Sequence, residues 1–157
     1  DLNPIGMDFS AGMLAAAGTD APLVRADALQ LPVPSAHVDG VTCGFALRNF
    51  KDLSGFFHEV SRVVRPGGRI GLLDVGQPSN PFLRWGHSVY FGTVVPKIGA
   101  LLSDPSAYRY LPKSVDYLPP SEEILAELRK VGFTDAIRVP LSGGITQLFL
   151  GTQVTHN

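Results

Sequence analysis

Arg48 and Asn49 stand side by side just past an apolar run, Val38–Phe45. A guanidinium stays charged at any working pH. At the end of a strand it can stabilise negative charge that develops on a bound ring oxygen, with the amide of Asn49 holding that oxygen in place. The plainer alternative is an arginine that satisfies loop carbonyls and an asparagine that caps the next helix. Two carboxylates occupy comparable places. Asp8 ends the short run Pro4–Asp8 and precedes a helix. It can accept both hydroxyls of a ribose or simply lie beside a helix N-terminus. Asp27 ends the run Pro22–Ala26. Together with the N–H of Ala28 it offers one acceptor and one donor, enough to read the amino group and a ring nitrogen of adenine. On its own it also suits an Asx turn.

These residues need strands that deliver them to one edge. Val38–Phe45 is apolar and carries β-branched residues, as a strand buried on both faces of a parallel sheet does. Ser10 is placed to cap a helix over Ala11–Ala17, which Gly18 ends. Leu29–Ala36 holds Pro32 and Pro34 and is irregular. Leu53, Phe56, Phe57, Val60, Val63 and Val64 recur at helical spacing. Arg65-Pro66-Gly67-Gly68 then reads as a turn, and Arg69–Asp74 as a strand. Ser121 caps a second helix, Ser121–Val131, with Ile124, Leu125 and Leu128 on one face and Gly132 at its end. Two last strands, Ala136–Val139 and Ile145–Gly151, are joined by Ser142-Gly143-Gly144 and so run antiparallel. Strands alternating with helices give an α/β sheet, mostly parallel, within one domain over 1–157. The segment 77–120 breaks the pattern with prolines, scattered aromatics and a helical middle around Phe82–Leu102. It reads as an insertion over the sheet edge.

Composition narrows the partners. The 157 residues are 45% hydrophobic and 17% charged, which suits a packed core rather than a disordered chain. A net charge of −1 gives no attraction for nucleic acid. Cys43 is the single cysteine, so no internal disulfide forms, and the four histidines show no ligand spacing for a metal. With no long apolar run and no leader, the expected place is the cytoplasm. The chain opens on Asp1 rather than Met. It therefore reads as a fragment, a processed product or a trimmed chain.

Several stretches together resemble a known family. Met7-Asp8-Phe9-Ser10, Ala26-Asp27-Ala28 with Leu31-Pro32-Val33-Pro34, Val38-Asp39, and Arg62–Arg69 resemble class I S-adenosylmethionine-dependent methyltransferases, which share a Rossmann-like sheet. Phe45-Ala46-Leu47-Arg48-Asn49, Ala107–Pro112 with Ser114-Val115, and Ser142-Gly143-Gly144-Ile145 are similar to the ubiquinone/menaquinone biosynthesis C-methyltransferases, the demethylmenaquinone methyltransferase group. The resemblance implies that Asp8 binds the cofactor ribose and that Asp27 and Ala28 border the adenine. It places Gly44 beside the cofactor through its backbone, and Arg48 and Asn49 near the acceptor ring. The acceptor is then a prenylated quinol and the reaction a C-methylation, with no metal needed.

The insertion 77–120 is expected to form a lid with the acceptor site, where Tyr90, Tyr108, Arg109 and Tyr110 are candidates to line the pocket; Tyr108, Arg109 and Tyr110 serve equally to pin the lid to the sheet. That lid's apolar surface suits a prenyl tail and a peripheral membrane contact, or simply the lid's own core or a homodimer contact. Asp52, His87 and Tyr90 are weak choices for the proton acceptor. The family's first strand and glycine-rich loop lie upstream of Asp8, where this sequence has seven residues. That strand belongs between the one ending at Asp8 and the one starting near Val38. Its absence from the chain leaves three readings: a quinone-pathway methyltransferase in part, a methyltransferase for another small acceptor, or a non-catalytic remnant.

Overall fold

The computed structural model describes residues 3–76 and 118–154. Among the described residues, six strands and three α-helices follow in order: β1 Gly6–Asp8, α1 Ala11–Ala16, β2 Leu23–Arg25, β3 Val38–Gly44, α2 Leu53–Val63, β4 Val64–Val75, α3 Ser121–Lys130, β5 Ile137–Leu141 and β6 Thr146–Thr152. One-turn 3-10 helices at Leu47–Asn49 and Ser142–Gly144 join β3 to α2 and β5 to β6. β1 and β2 pair in parallel as a ribbon, and the other strands form a sheet in the order β3-β4-β6-β5. β3 and β4 are parallel, while β6 runs antiparallel to both β4 and β5. The expected α/β sheet with an antiparallel end is present. The ribbon and the sheet share no ladder, so β1 and β3 each keep one edge without a strand partner among the described residues.

The core lies where α2 and α3 cover the sheet. α2 buries Phe56, Phe57, Val60 and Val63, which recur every three or four residues, and α3 buries Ile124, Leu125 and Leu128. β4 alternates across the pleat, so that Ile70, Leu72 and Asp74 all point to the buried side. On β6 the same phase buries Gln147, Phe149 and Gly151. Phe133, fully buried just after α3, closes this core. Arg62 of α2 donates to Glu59, to Ser35 Oγ and to the Leu31 carbonyl, and Glu59 accepts the Leu31 N–H. These bonds tie the proline loop down onto α2.

Two local expectations differ. Arg65–Gly68 does not end α2 in a free turn. The ladder passes from Val38↔Val64 to Gly40↔Arg69, so the four residues bulge out of β4. Gly67 holds φ +78°, and a Cβ on Gly68 would lie 2.8 Å from the Asp39 carbonyl, so both positions need glycine. Ser121 is not the cap of α3; Pro120 precedes the helix without a side-chain cap bond. The Ser121 hydroxyl donates instead to Gln147 Oε1 at 2.8 Å, because a buried amide oxygen needs a donor more than an exposed helix end does. Ser10 does cap α1, and Gly132 at φ +108° follows the end of α3. Pro140 falls on β5, an outer strand of the four-stranded sheet, where one missing donor costs no ladder bond inward.

Candidate functional site

Asp8 and Asp27 come from neighbouring strands. Asp8 is the last residue of β1, level with Arg25 of β2, and Asp27 follows β2 by two residues. Asp8 Oδ1 accepts the Ser10 N–H at 2.7 Å, leaving the other oxygen for an outside donor. Asp27 Oδ1 accepts the Leu29 N–H at 2.9 Å, so the Asx turn forms. That turn fixes the exposed carboxylate beside the half-buried Ala28. Gly44 ends β3, and a Cβ there would meet nothing within 4 Å, so the space beside this strand tip is open. The two carboxylates and the open glycine suit a nucleoside of the S-adenosylmethionine kind, offering ribose acceptors and no bulk at the strand end.

Arg48 and Asn49 lie in the 3-10 turn after β3, and here the structure adds a residue the sequence reading passed over. Arg48 Nη1 donates to Asp74 Oδ1 at 2.6 Å, and the Arg48 N–H donates to Asp74 Oδ2 at 3.3 Å. The Val75 N–H gives Asp74 Oδ1 a further bond at 2.7 Å. The Asp74 side chain is 0% exposed and that of Arg48 9%. Arg48 thus pairs with a carboxylate, not with loop carbonyls. Phe45 turns the chain back at the end of β3: its φ is +58°, a conformation costly for a bulky residue, and its N–H holds the Leu73 carbonyl at 2.7 Å. The Phe45 ring lies 5.8 Å from the Arg48 guanidinium carbon, within cation–π reach.

Asn49 is exposed and does not cap α2. Asp52 does, accepting the Gly55 N–H at 2.8 Å, which occupies one of the weak choices for proton acceptor. No hydrogen bond among the described residues links the Asp8–Asp27 pair to the Arg48–Asp74 pair. Tyr90, Tyr108, Arg109, Tyr110 and His87 lie outside the described residues.

A cavity of about 280 Å³ opens at the carboxyl end of β4, lined by Val75, Gly76, Leu118, Pro119, Pro120, Ser121 and Gln147. Gln147 is buried and fully held: Arg138 Nε donates to its Oε1 at 2.6 Å, and its Nε2 donates to the Val75 carbonyl at 2.9 Å. The cavity and the ion pair meet at Val75, which lines the cavity and donates its N–H to Asp74. The signal for Asp74 was in the sequence: an acid at the end of an apolar strand, in phase with the core face.

Cys43 faces the core from β3. Burial, and then the negative charge of Asp74, pushes its thiol up to about 11 from an ordinary 9.0. The folded state therefore favours the neutral thiol, while the unfolded chain ionises first. This contribution to stability is complete below about pH 9 and is lost as pH rises through about 11. We expect Cys43 to resist a thiol-disulfide reagent at pH 8 and to react once the chain is unfolded in guanidinium. Rapid reaction of the folded protein at pH 8 would contradict the burial described.

Comparison with known proteins fixes the relationship. The model of the ubiE/COQ5 methyltransferase family matches residues 5–153. The demethylmenaquinone methyltransferase of Roseiflexus castenholzii is 42% identical over 83% of this chain and 58% of its own length. The ubiquinone/menaquinone biosynthesis C-methyltransferase UbiE of Syntrophotalea carbinolica is 36% identical over 94% of this chain and 65% of its own. The chain thus spans roughly 58–65% of these relatives. Among solved structures, the fold is similar to phosphoethanolamine N-methyltransferase 2 of Haemonchus contortus in complex with S-adenosyl-L-methionine. That match has a TM-score of 0.65 at 16% identity, covering 96% of this chain and 43% of that one. It is equally similar to the CurJ carbon methyltransferase, with a TM-score of 0.65 at 17% identity, covering 96% and 41%. With a Rossmann-like sheet and a family match along nearly its whole length, this chain belongs to the ubiE/COQ5 methyltransferase family.

Proposed function

We propose that this chain is part of an enzyme that transfers a methyl group from S-adenosylmethionine to a ring carbon of a prenylated quinol, in menaquinone or ubiquinone biosynthesis. One observation carries the reading. A nearly buried guanidinium, Arg48, stands beside an open strand tip in a chain whose relatives bear demethylmenaquinone methyltransferase and UbiE names.

When bound, the cofactor supplies an electrophilic sulfonium methyl, so no metal is required. Asp8 accepts the ribose hydroxyls, and Asp27 with the Ala28 N–H reads the adenine edge. Arg48 stabilises the oxyanion of the ionised quinol, which makes the neighbouring ring carbon nucleophilic. Asn49 orients that oxygen. Held by Asp8, Asp27 and Ala28, the cofactor would supply its methyl group to that ring carbon, with the carbon–sulfur bonding pair staying on sulfur, and the ring proton would pass to solvent. The lid over 77–120, with Tyr90, Tyr108, Arg109 and Tyr110, covers the acceptor and excludes water. Contact with a membrane surface, where prenylated quinols dissolve, and a homodimer complete the proposal.

The test uses the complete protein that carries this chain. Calorimetric titration with S-adenosylmethionine should show binding, and labelled methyl should reach a demethylnaphthoquinol or a benzoquinol precursor. Asp8→Ala should weaken cofactor binding about 10–100-fold, the loss expected when a charge-assisted pair of hydrogen bonds goes. Unchanged affinity in Asp8→Ala would remove Asp8 from the site, and no labelled quinol would overturn the reaction class.

A further inference from the structure

From the geometry of the Arg48–Asp74 pair we infer that Asp74 is the positioning residue of the reaction, holding Arg48 so that one edge of its guanidinium is kept for the acceptor oxygen. The inference rests on the proposed function and deepens it. A guanidinium presents its donors on two edges, and the edge formed by Nε–H and one Nη2 hydrogen matches a pair of acceptor lone pairs. Asp74 takes Nη1 alone, at 2.6 Å. Nε is buried and has no hydrogen-bond partner. No described residue accepts from Nη2 either. A buried donor left unpaired is costly, and natural cores rarely keep one unless a ligand or a function uses it.

The carboxylate does more than balance charge. Its second oxygen holds the Arg48 backbone N–H, so Asp74 grips both ends of the residue. The strained Phe45 backbone and the Val75 N–H fix the two partners in turn. Asp74 sits on the buried face of β4, in line with Ile70 and Leu72, so the anchor belongs to the rigid sheet while Arg48 belongs to a loop. A loop arginine without this anchor would sample many rotamers. Here its free edge faces one way before any ligand arrives, which is the preorganisation that electrostatic catalysis needs.

The experiment is a double-mutant cycle on the complete enzyme with a quinol acceptor, comparing Asp74→Asn, Arg48→Gln and both together. Asp74→Asn should lower kcat about 10–100-fold, leaving the affinity for S-adenosylmethionine within about twofold, because the cofactor carboxylates are untouched. The double variant should be no slower than Arg48→Gln alone, since Asp74 acts only through Arg48. Losses that multiply in the double variant, or full kcat in Asp74→Asn, would overturn the positioning role while leaving the quinol reading intact. A wild-type enzyme that binds cofactor but methylates no quinol would overturn both. Should Asp74→Asn not fold, Asp74→Glu keeps the charge on a longer arm and enters the same cycle. It should again lose kcat without losing cofactor affinity, and unaltered kcat would count against the role.

Discussion

Replacing Arg48 with alanine should reduce methyl transfer by about 10²–10³-fold in kcat, the usual cost of losing one preorganised donor to a developing oxyanion. Affinity for S-adenosylmethionine should stay the same, because Arg48 touches neither Asp8 nor Asp27. A second loss should accompany the first. Asp74 would be left fully buried without its counter-charge, and breaking such a pair from one side costs about 3–5 kcal/mol. The two effects separate cleanly in Arg48→Lys, which keeps a positive charge for Asp74 but not the planar fork. Lysine should recover most of the melting temperature and little of the kcat. If the alanine variant turned over normally, the guanidinium would have no part in the chemistry. If lysine restored turnover in full, charge alone would be the requirement.

Phe133→Ala should be among the most damaging single changes to the fold. Phe133 is 0% exposed, sits directly after the left-handed Gly132, and lies against the backbone of Gly151 in β6, where an added Cβ would come within 3.0 Å of its own. Close packing on this scale leaves little room to collapse into the vacated space. The expected cost is about 3–5 kcal/mol. That is a large part of the roughly 5–15 kcal/mol that a domain has to lose. At about 2–4 °C per kcal/mol for a domain of this size, scanning calorimetry should show the midpoint fall by roughly 10 °C. A fall of only a degree or two would mean that the space between α3 and β6 refills.

Much of this was legible in the residues. The period of Phe56, Phe57, Val60 and Val63 announced α2, because burial of a single face sets it, and the run from Val38 announced β3, but not with the burial on both faces expected of it: Asp39, Gly40, Thr42 and Gly44 are exposed and only one face is half-buried. Ser10 and Gly132 marked helix ends through local bonding and φ, which short segments decide for themselves. What the sequence hid was decided at a distance. Asp74 meets Arg48 across 26 residues, and no local rule pairs them. Ser121 left its expected cap position for an amide 26 residues away on β6. Arg65–Gly68 looked like a turn because it carries turn residues; the register of β3 against β4 made it a bulge. The places of Asp8 and Asp27 were readable because one ends β1 and the other follows β2 by two residues, and the free edge of Arg48 was not, since it depends on which nitrogen its partner takes.

The outer margin of the four-stranded sheet and its inner one differ in what they invite. Pro140 on β5 lacks an N–H, so a stray strand meeting that rim would find its docking pattern interrupted. β3 has no proline along Val38–Gly44, and its rim presents an unbroken row of donors and acceptors. Self-association of this chain is therefore discouraged at the β5 rim and directed to the β3 rim.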